Sequence, residues 1–250
     1  MPDSIKHPPL PGLITVGDGL EPVFDALGRD LAACALDCVK AFGDFHLALS
    51  GGSTPLPFYE RLARAPRYRE LPWSKTHLWI VDERRVPFDD ERSNWRGIAK
   101  AFAGSPIPED QRHPIPATAP DAAERYEAEL RAALGRRPRG EDRLDLVILG
   151  MGEDGHTASL FPQTAVLGER ARLVSACEGP GGGSPPRVTM TYPLLNASRR
   201  IAVLVTGAGK AATLARVAKG DEDEYALPIK GIMPRAGELR WYLDRAACGQ

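Results

Sequence analysis

Residues 144–162 read LDLVILGMGEDGHTASLFP. The run Leu144–Leu149 is apolar almost throughout, as strands covered on both faces are. It stops abruptly at Gly150-Met151-Gly152-Glu153-Asp154-Gly155, a glycine-rich turn that presents two carboxylates and then His156. A buried strand ending this way reads as the carboxyl end of a strand in an open α/β sheet, the edge at which such sheets bind ligands. The same kind of run recurs at Leu13–Val16, Phe45–Leu49, Thr76–Val81, Arg172–Ala176, Arg187–Thr191 and Ile201–Thr206. Helical spacing falls between them, at Pro22–Ala41, Asp121–Leu134 and Lys210–Lys219. Alternating strands and helices predict a single α/β domain over residues 1–250, with a mainly parallel sheet flanked by helices. Gly104–Pro120 and Gly179–Pro186, rich in proline and glycine, read as surface loops rather than domain linkers, joining strands of one sheet.

The bulk properties fit that reading. The chain has 250 residues, 43% of them apolar and 26% charged, enough for a sizeable core. A formal net charge of −1 gives no basic field for nucleic acid or an anionic membrane, so an anionic ligand must be held by local cations. The four cysteines, at 34, 38, 177 and 248, form no zinc-type pairing, and Cys34 and Cys38 read as small buried residues of one helix. The opening MPDSIKHPPLPG has no apolar core of a signal peptide, and no run reaches membrane-spanning length. A cytoplasmic location is the expectation; oligomeric state is not legible.

Three strand ends carry chemistry. After Phe45–Leu49 come Ser50, Gly51, Gly52, Ser53 and Thr54, with Thr54 placed to cap a helix opened by Pro55. Glycines, hydroxyls and helix amides together suit a phosphate, although the absence of a Gly-Lys-Ser/Thr ending excludes a nucleotide P-loop. After Thr76–Val81 come Asp82, Glu83, Arg84 and Arg85, followed by Ser93 or Asn94 as the cap of a helix containing Ile98 and Phe102. The third is the quoted stretch. Its literal GxGxxG is not a dinucleotide site, because Glu153 and Asp154 would oppose a pyrophosphate and Pro162 forbids the long helix. What remains is His156 at a ligand-binding edge, beside carboxylates able to set its tautomer and basicity. Arg187, opening the strand RVTMTY, and Lys210, after Gly207-Ala208-Gly209, supply further positive charge, with Lys210 the better placed to neutralise a phosphate on the glycine loop.

In that order and spacing, LALSGGSTP, VDERRVPFDDERSNW, LVILGMGEDGHTASLFP, RVTMTYPLLN and VLVTGAGKA resemble the 6-phosphogluconolactonase family, and the tail LPIKGIMPRAGELRWYLDRAA is similar to that family's end. The resemblance is strong from about Phe45 to Ala247. It implies a Rossmann-like sheet of the glucosamine-6-phosphate deaminase type. It also implies hydrolysis of a sugar-phosphate lactone, 6-phospho-D-glucono-1,5-lactone, in the oxidative pentose phosphate pathway, with no cofactor and no metal. Carried over by position, His156 is the catalytic base, and Ser50 to Thr54, Arg84, Arg187 and Lys210 match substrate-binding positions. Asp82, at the same strand end as Arg84, is taken as a further substrate contact.

The expected chemistry is attack of a water on the lactone carbonyl. His156 takes its proton, Arg84 stabilises the oxyanion, and Asp154 or Glu153 orients the imidazole; the sequence does not choose between the two. No G-x-S-x-G elbow or Ser-His-Asp set supports an acyl-enzyme. A sugar-phosphate deaminase on the same fold is the main competitor, but such enzymes resemble this chain with DEY where it has Asp82-Glu83-Arg84 and Asn-Glu-Pro where it has Leu160-Phe161-Pro162. A non-catalytic sugar-phosphate sensor is disfavoured by the retained His156 and by the lack of a basic DNA-binding segment.

Overall fold

The computed structural model describes residues 6–138 and 140–250, so the first five residues of the amino-terminal stretch read above lie outside it. In chain order the strands are β1 (Leu13–Gly17), β2 (Phe45–Leu49), β3 (Thr76–Ile80), β4 (Asp82–Arg84), β5 (Arg112–His113), β6 (Leu146–Leu149), β7 (Val174–Cys177), β8 (Arg187–Met190), β9 (Arg200–Val205) and β10 (Glu238–Asp244). The α-helices are α1 (Leu20–Phe42), α2 (Leu56–Arg64), α3 (Asn94–Ala101), α4 (Ala122–Leu134), α5 (Tyr192–Leu195) and α6 (Ala211–Lys219).

Seven strands make one sheet in the order β1-β10-β9-β6-β2-β3-β5, parallel at every pairing. Its middle strands are buried along their whole length, with every residue of β2 and β6 out of solvent, which is why they read as unbroken apolar runs. From β2 the chain proceeds outward to β3 and β5, then returns through α4 to lay β6 on the other side of β2. The order therefore reverses between β2 and β6. Their carboxyl ends diverge there and open a crevice, the usual ligand position in such sheets.

The expectation of a single sheet needs correction. The strands read at Arg172–Ala176 and Arg187–Thr191 are β7 and β8, and with β4 they form a separate antiparallel sheet, ordered β4-β8-β7. The Gly179–Pro186 loop is the turn of that hairpin. One extended segment feeds both sheets: Val81 donates to Leu49 on the main sheet at 3.0 Å and accepts from Met190 of β8 at 2.8 Å. Asp82 and Arg84 thus lie on a strand that leans over the crevice instead of ending beside it.

Three strands escaped the apolar-run reading. β4 is the charged segment read only as the end of the Thr76–Val81 strand. β5 lies inside the expected loop Gly104–Pro120 and is only two residues long. Beyond it, the Tyr126 hydroxyl of α4 accepts from the Ile80 N–H at 2.8 Å and donates to the Ile80 carbonyl at 2.9 Å, satisfying backbone groups that so short an edge strand leaves open. β10 carries charge at Glu238, Arg240 and Asp244, but Leu239, Trp241 and Leu243 alternate with them, the signal of a strand with unlike faces. The expected α-helices form within about two residues of their predicted bounds, and Cys34 and Cys38 are buried in α1. Among the described residues no helix is long and apolar enough to cross a membrane.

Candidate active site

A cavity of about 230 Å³ fills the crevice between β2 and β6. The loops after β2, β6 and β9 wall it, and β4 closes one side. Ser50, Gly51, Gly52, Ser53, Thr54, Asp82, Arg84, His156 and Lys210 all line it, so the structure gathers residues spread over 160 positions of sequence.

His156 is held by its own loop. Asp154 Oδ1 accepts from the His156 backbone N–H at 3.1 Å and meets its Nδ1 at 2.6 Å. A carboxylate accepts only, so Nδ1 carries the proton and Nε2 is the free basic nitrogen. The choice the sequence left open therefore falls on Asp154. Glu153 has its Oε1 beside Gly209, and among the described residues the carboxylate paired with the imidazole is that of Asp154. Burial pushes the pKa of Asp154 up, but the two hydrogen bonds and the charge of the imidazole outweigh it and hold the carboxyl below its ordinary range. Gly152 makes the pair possible. A Cβ there would sit 2.1 Å from His156 Nδ1 and 2.5 Å from Asp154 Oδ1.

On the opposite wall, Glu83 is fully buried and ties β4 to the start of α3. Its carboxylate accepts from the N–H groups of Arg84 (2.8 Å), Asn94 (2.7 Å) and Trp95 (2.8 Å) and from Ser93 Oγ (3.0 Å). Burial pushes its pKa up against the pull of those four bonds. Ser93 is the cap of α3, accepting from the Arg96 N–H at 3.2 Å. Asp82 points one oxygen at Ser159 Oγ, 2.6 Å away. Arg84 donates to the Arg92 carbonyl at 2.6 Å, and neither Arg84 nor Lys210 has a carboxylate partner among the described residues. Cations without counter-ions on a cavity wall suit an anionic ligand.

Two expectations fail locally. Thr54 does not cap α2. Pro55 is already helical at φ −83° and ψ −21°, its carbonyl accepts the Tyr59 N–H at 3.0 Å, and no side chain caps the helix. Pro57 further removes one amide from the first turn. Arg187 is not on the cavity wall. It faces Arg84 across the β4–β8 pairing, but its guanidinium donates to Ser184 Oγ at 2.9 Å and to the Pro185 carbonyl, tying down the hairpin turn. Burial first, and then the charge of Arg84, lower its pKa from the usual arginine value. Among the wall residues that the sequence reading missed is Asn94, seen there only as an alternative helix cap.

One cluster among the described residues brings three potential metal ligands within 4.8 Å, namely Asp44, His46 and His77. It lies at the amino ends of β2 and β3, away from the cavity. The indole N–H of Trp79 donates to His46 Nδ1 at 3.0 Å, which leaves the proton on Nε2, the nitrogen that faces Asp44. That tautomer does not ligate a metal.

The profile of the family described as glucosamine-6-phosphate isomerases/6-phosphogluconolactonase matches residues 20–241. The human GDH/6PGL endoplasmic bifunctional protein is 38% identical over 235 residues, which is 90% of this chain but 28% of that protein's length. A 6-phosphogluconolactonase from Nostoc sp. is 40% identical over 227 residues, covering 89% of this chain and 91% of the relative. The crystal structure of a 6-phosphogluconolactonase from Thermotoga maritima superposes with a TM-score of 0.79 at 30% identity, covering 93% of this chain and 99% of that one. A profile match over most of the chain, carried by relatives at this identity, means that the chain belongs to the glucosamine-6-phosphate isomerase/6-phosphogluconolactonase family.

Proposed function

We propose that this protein is a 6-phosphogluconolactonase, acting as one catalytic unit that hydrolyses 6-phospho-D-glucono-1,5-lactone to 6-phosphogluconate in the oxidative pentose phosphate pathway. The observation that carries the reading is the His156–Asp154 pair on a cavity whose cations have no carboxylate partner among the described residues. Water attacks the lactone carbonyl carbon while His156 Nε2 takes its proton. The carbonyl oxygen becomes an oxyanion, for which Arg84 is the cation. The tetrahedral intermediate collapses, the ring C–O bond breaks, and the protonated His156 returns the proton to the leaving ring oxygen. Asp154 fixes the tautomer that makes Nε2 the base and stabilises the imidazolium once it forms. Lys210 and the Ser50–Thr54 loop hold the phosphate, which positions the ring for attack. Arg187 acts at one remove, by anchoring the hairpin that carries β8 against β4.

The test is hydrolysis of the phosphorylated lactone against unphosphorylated glucono-1,5-lactone, with the spontaneous rate subtracted. Charge-assisted bonds to phosphate contribute about 1.5–3 kcal/mol each, so kcat/KM should fall by about a hundredfold or more without the phosphate. Equal efficiency on both lactones would remove the phosphate site. Release of ammonia from glucosamine 6-phosphate at a comparable rate would assign the deaminase reaction instead.

A further inference from the structure

Besides the histidine and the cations, three nearly buried polar side chains, Ser50, Asp82 and Asn94, line the cavity. Ser50 is 5% exposed, and its Oγ has no partner although its backbone is fully bonded, to Ile148 and to the Tyr59 hydroxyl. Asp82, 7% exposed, uses Oδ2 on Ser159. Asn94, 6% exposed, is the most constrained of the three. Its backbone N–H is taken by Glu83, and its side-chain Nδ2 donates to the Asp82 carbonyl at 2.9 Å. A backbone carbonyl only accepts, so the amide cannot turn over. Oδ1 is therefore fixed on the side of Gly51, where a Cβ would lie 2.1 Å from it. The glycine leaves that oxygen open to the cavity, and among the described residues it accepts no hydrogen bond.

We infer that Asn94 is a specificity-determining residue, whose Oδ1 accepts a hydrogen bond from one ring hydroxyl of the sugar lactone. The inference rests on the lactonase reading above and extends it to a residue outside the expected substrate contacts. The chemistry is one of complementarity. A cavity with cations for the anionic groups and an acceptor-only oxygen held between them recognises a ligand that carries hydroxyl donors between a phosphate and a carbonyl. A ligand lacking the matching hydroxyl leaves Oδ1 desolvated and unpaired, and is bound less well. Glu83 is a positioning residue here. It touches no substrate atom, yet through the Asn94 N–H it fixes where Oδ1 stands.

The experiment compares kcat/KM for the parent phosphorylated lactone and its 2-, 3- and 4-deoxy analogues, in the wild type and in Asn94→Ala. The wild type should disfavour one deoxy analogue by about tenfold, the size of one neutral hydrogen bond with an unpaired partner. In Asn94→Ala the preference at that one position should shrink to near unity, while the other two ratios stay as they were. Asn94→Ser, which keeps a good residue at the helix start but withdraws the acceptor, should do the same and covers the case in which the alanine variant does not fold. If a folded variant loses activity with all three ratios unchanged, Asn94 is structural and the inference is overturned. It is overturned equally if the wild type shows no discrimination at any position. Failure to hydrolyse the parent lactone would instead count against the lactonase reading itself, so the two failures are distinguishable.

Discussion

At the carboxyl end of β6, His156 has one nitrogen on Asp154 and its side chain is 34% exposed at the cavity edge. Toward the amino ends of β2, β3 and β5, His46, His77 and His113 stack with Trp79, ring centroids 4.5 Å apart for His46 and His77, 5.2 Å for His77 and His113, and 3.7 Å for Trp79 and His113. Both regions set imidazoles beside carboxylates. In the second region the protein itself occupies most of the nitrogens: Trp79 holds His46 Nδ1, His77 Nδ1 lies 2.9 Å from His113 Nε2, and His113 Nδ1 lies 2.5 Å from Glu129. At the site, the loop spends one nitrogen on orientation and leaves the other to a ligand. A histidine–carboxylate contact is therefore no mark of catalysis in itself; what sets His156 apart is a free nitrogen at the edge of the cavity.

The largest expected effect separates the two regions directly. His156→Ala should lower kcat by roughly a hundredfold to ten-thousandfold, the usual range for a general base, with the melting temperature nearly unchanged. His46→Ala should do the reverse. It removes a fully buried ring and strands the Trp79 N–H, costing about 2–4 kcal/mol of stability in urea unfolding, while the folded fraction keeps its kcat. Near wild-type activity in a folded His156→Ala protein would erase the contrast and make Asp154 the next group to test as base.

Within the site, the two counter-ion-free cations should part company in steady-state kinetics. Arg84→Ala, removing the charge proposed to meet the oxyanion, should lower kcat by about a hundredfold. Lys210→Ala should act mainly on KM, because the phosphate is bound equally in ground and transition states. The opposite partition would exchange their roles.

The smallest effect belongs to the histidine row. Burial first, and then the charges of His46 and His113, push the His77 pKa down from 6.5 to about 4. The unfolded chain takes up this proton before the folded one does. The stability that His77 contributes is therefore complete above about pH 6.5 and is lost as the pH falls toward about 4. Discounted for its partial exposure, the loss should be about 1–2 kcal/mol. Urea melts at pH 7.5 and 4.5 should show it in the wild type, and His77→Gln should flatten that difference; an equal acid loss in both proteins would clear His77 of the role.

Much of the molecule was legible beforehand. β2, β6 and β9 announced themselves as apolar runs because both faces are covered, and His156 stood out because glycines and charge at the end of such a run have no use in a core. β5 was hidden because two residues carry no periodicity, and β10 because its charged residues interrupt the run that would have marked it. Arg187 was misplaced as a wall residue for a different reason. Its position opposite Arg84 is a matter of strand pairing, but the direction of its guanidinium is set by Ser184 and Pro185 of the hairpin turn.

The sequence by itself determined the parallel α/β core, the strand ends that line the cavity, and the family. Those depend on local patterns: burial on both faces, glycine at tight turns, and motifs in a set order. Only the tertiary structure decided that β4, β7 and β8 form a second sheet, that Asp154 and not Glu153 holds His156, and that Asn94 faces the cavity. These depend on which way a side chain points after distant segments meet. The Glu83 carboxylate joining β4 to α3, and the absent Cβ of Gly51 that leaves Asn94 Oδ1 open, act between residues that no spacing in the chain brings together.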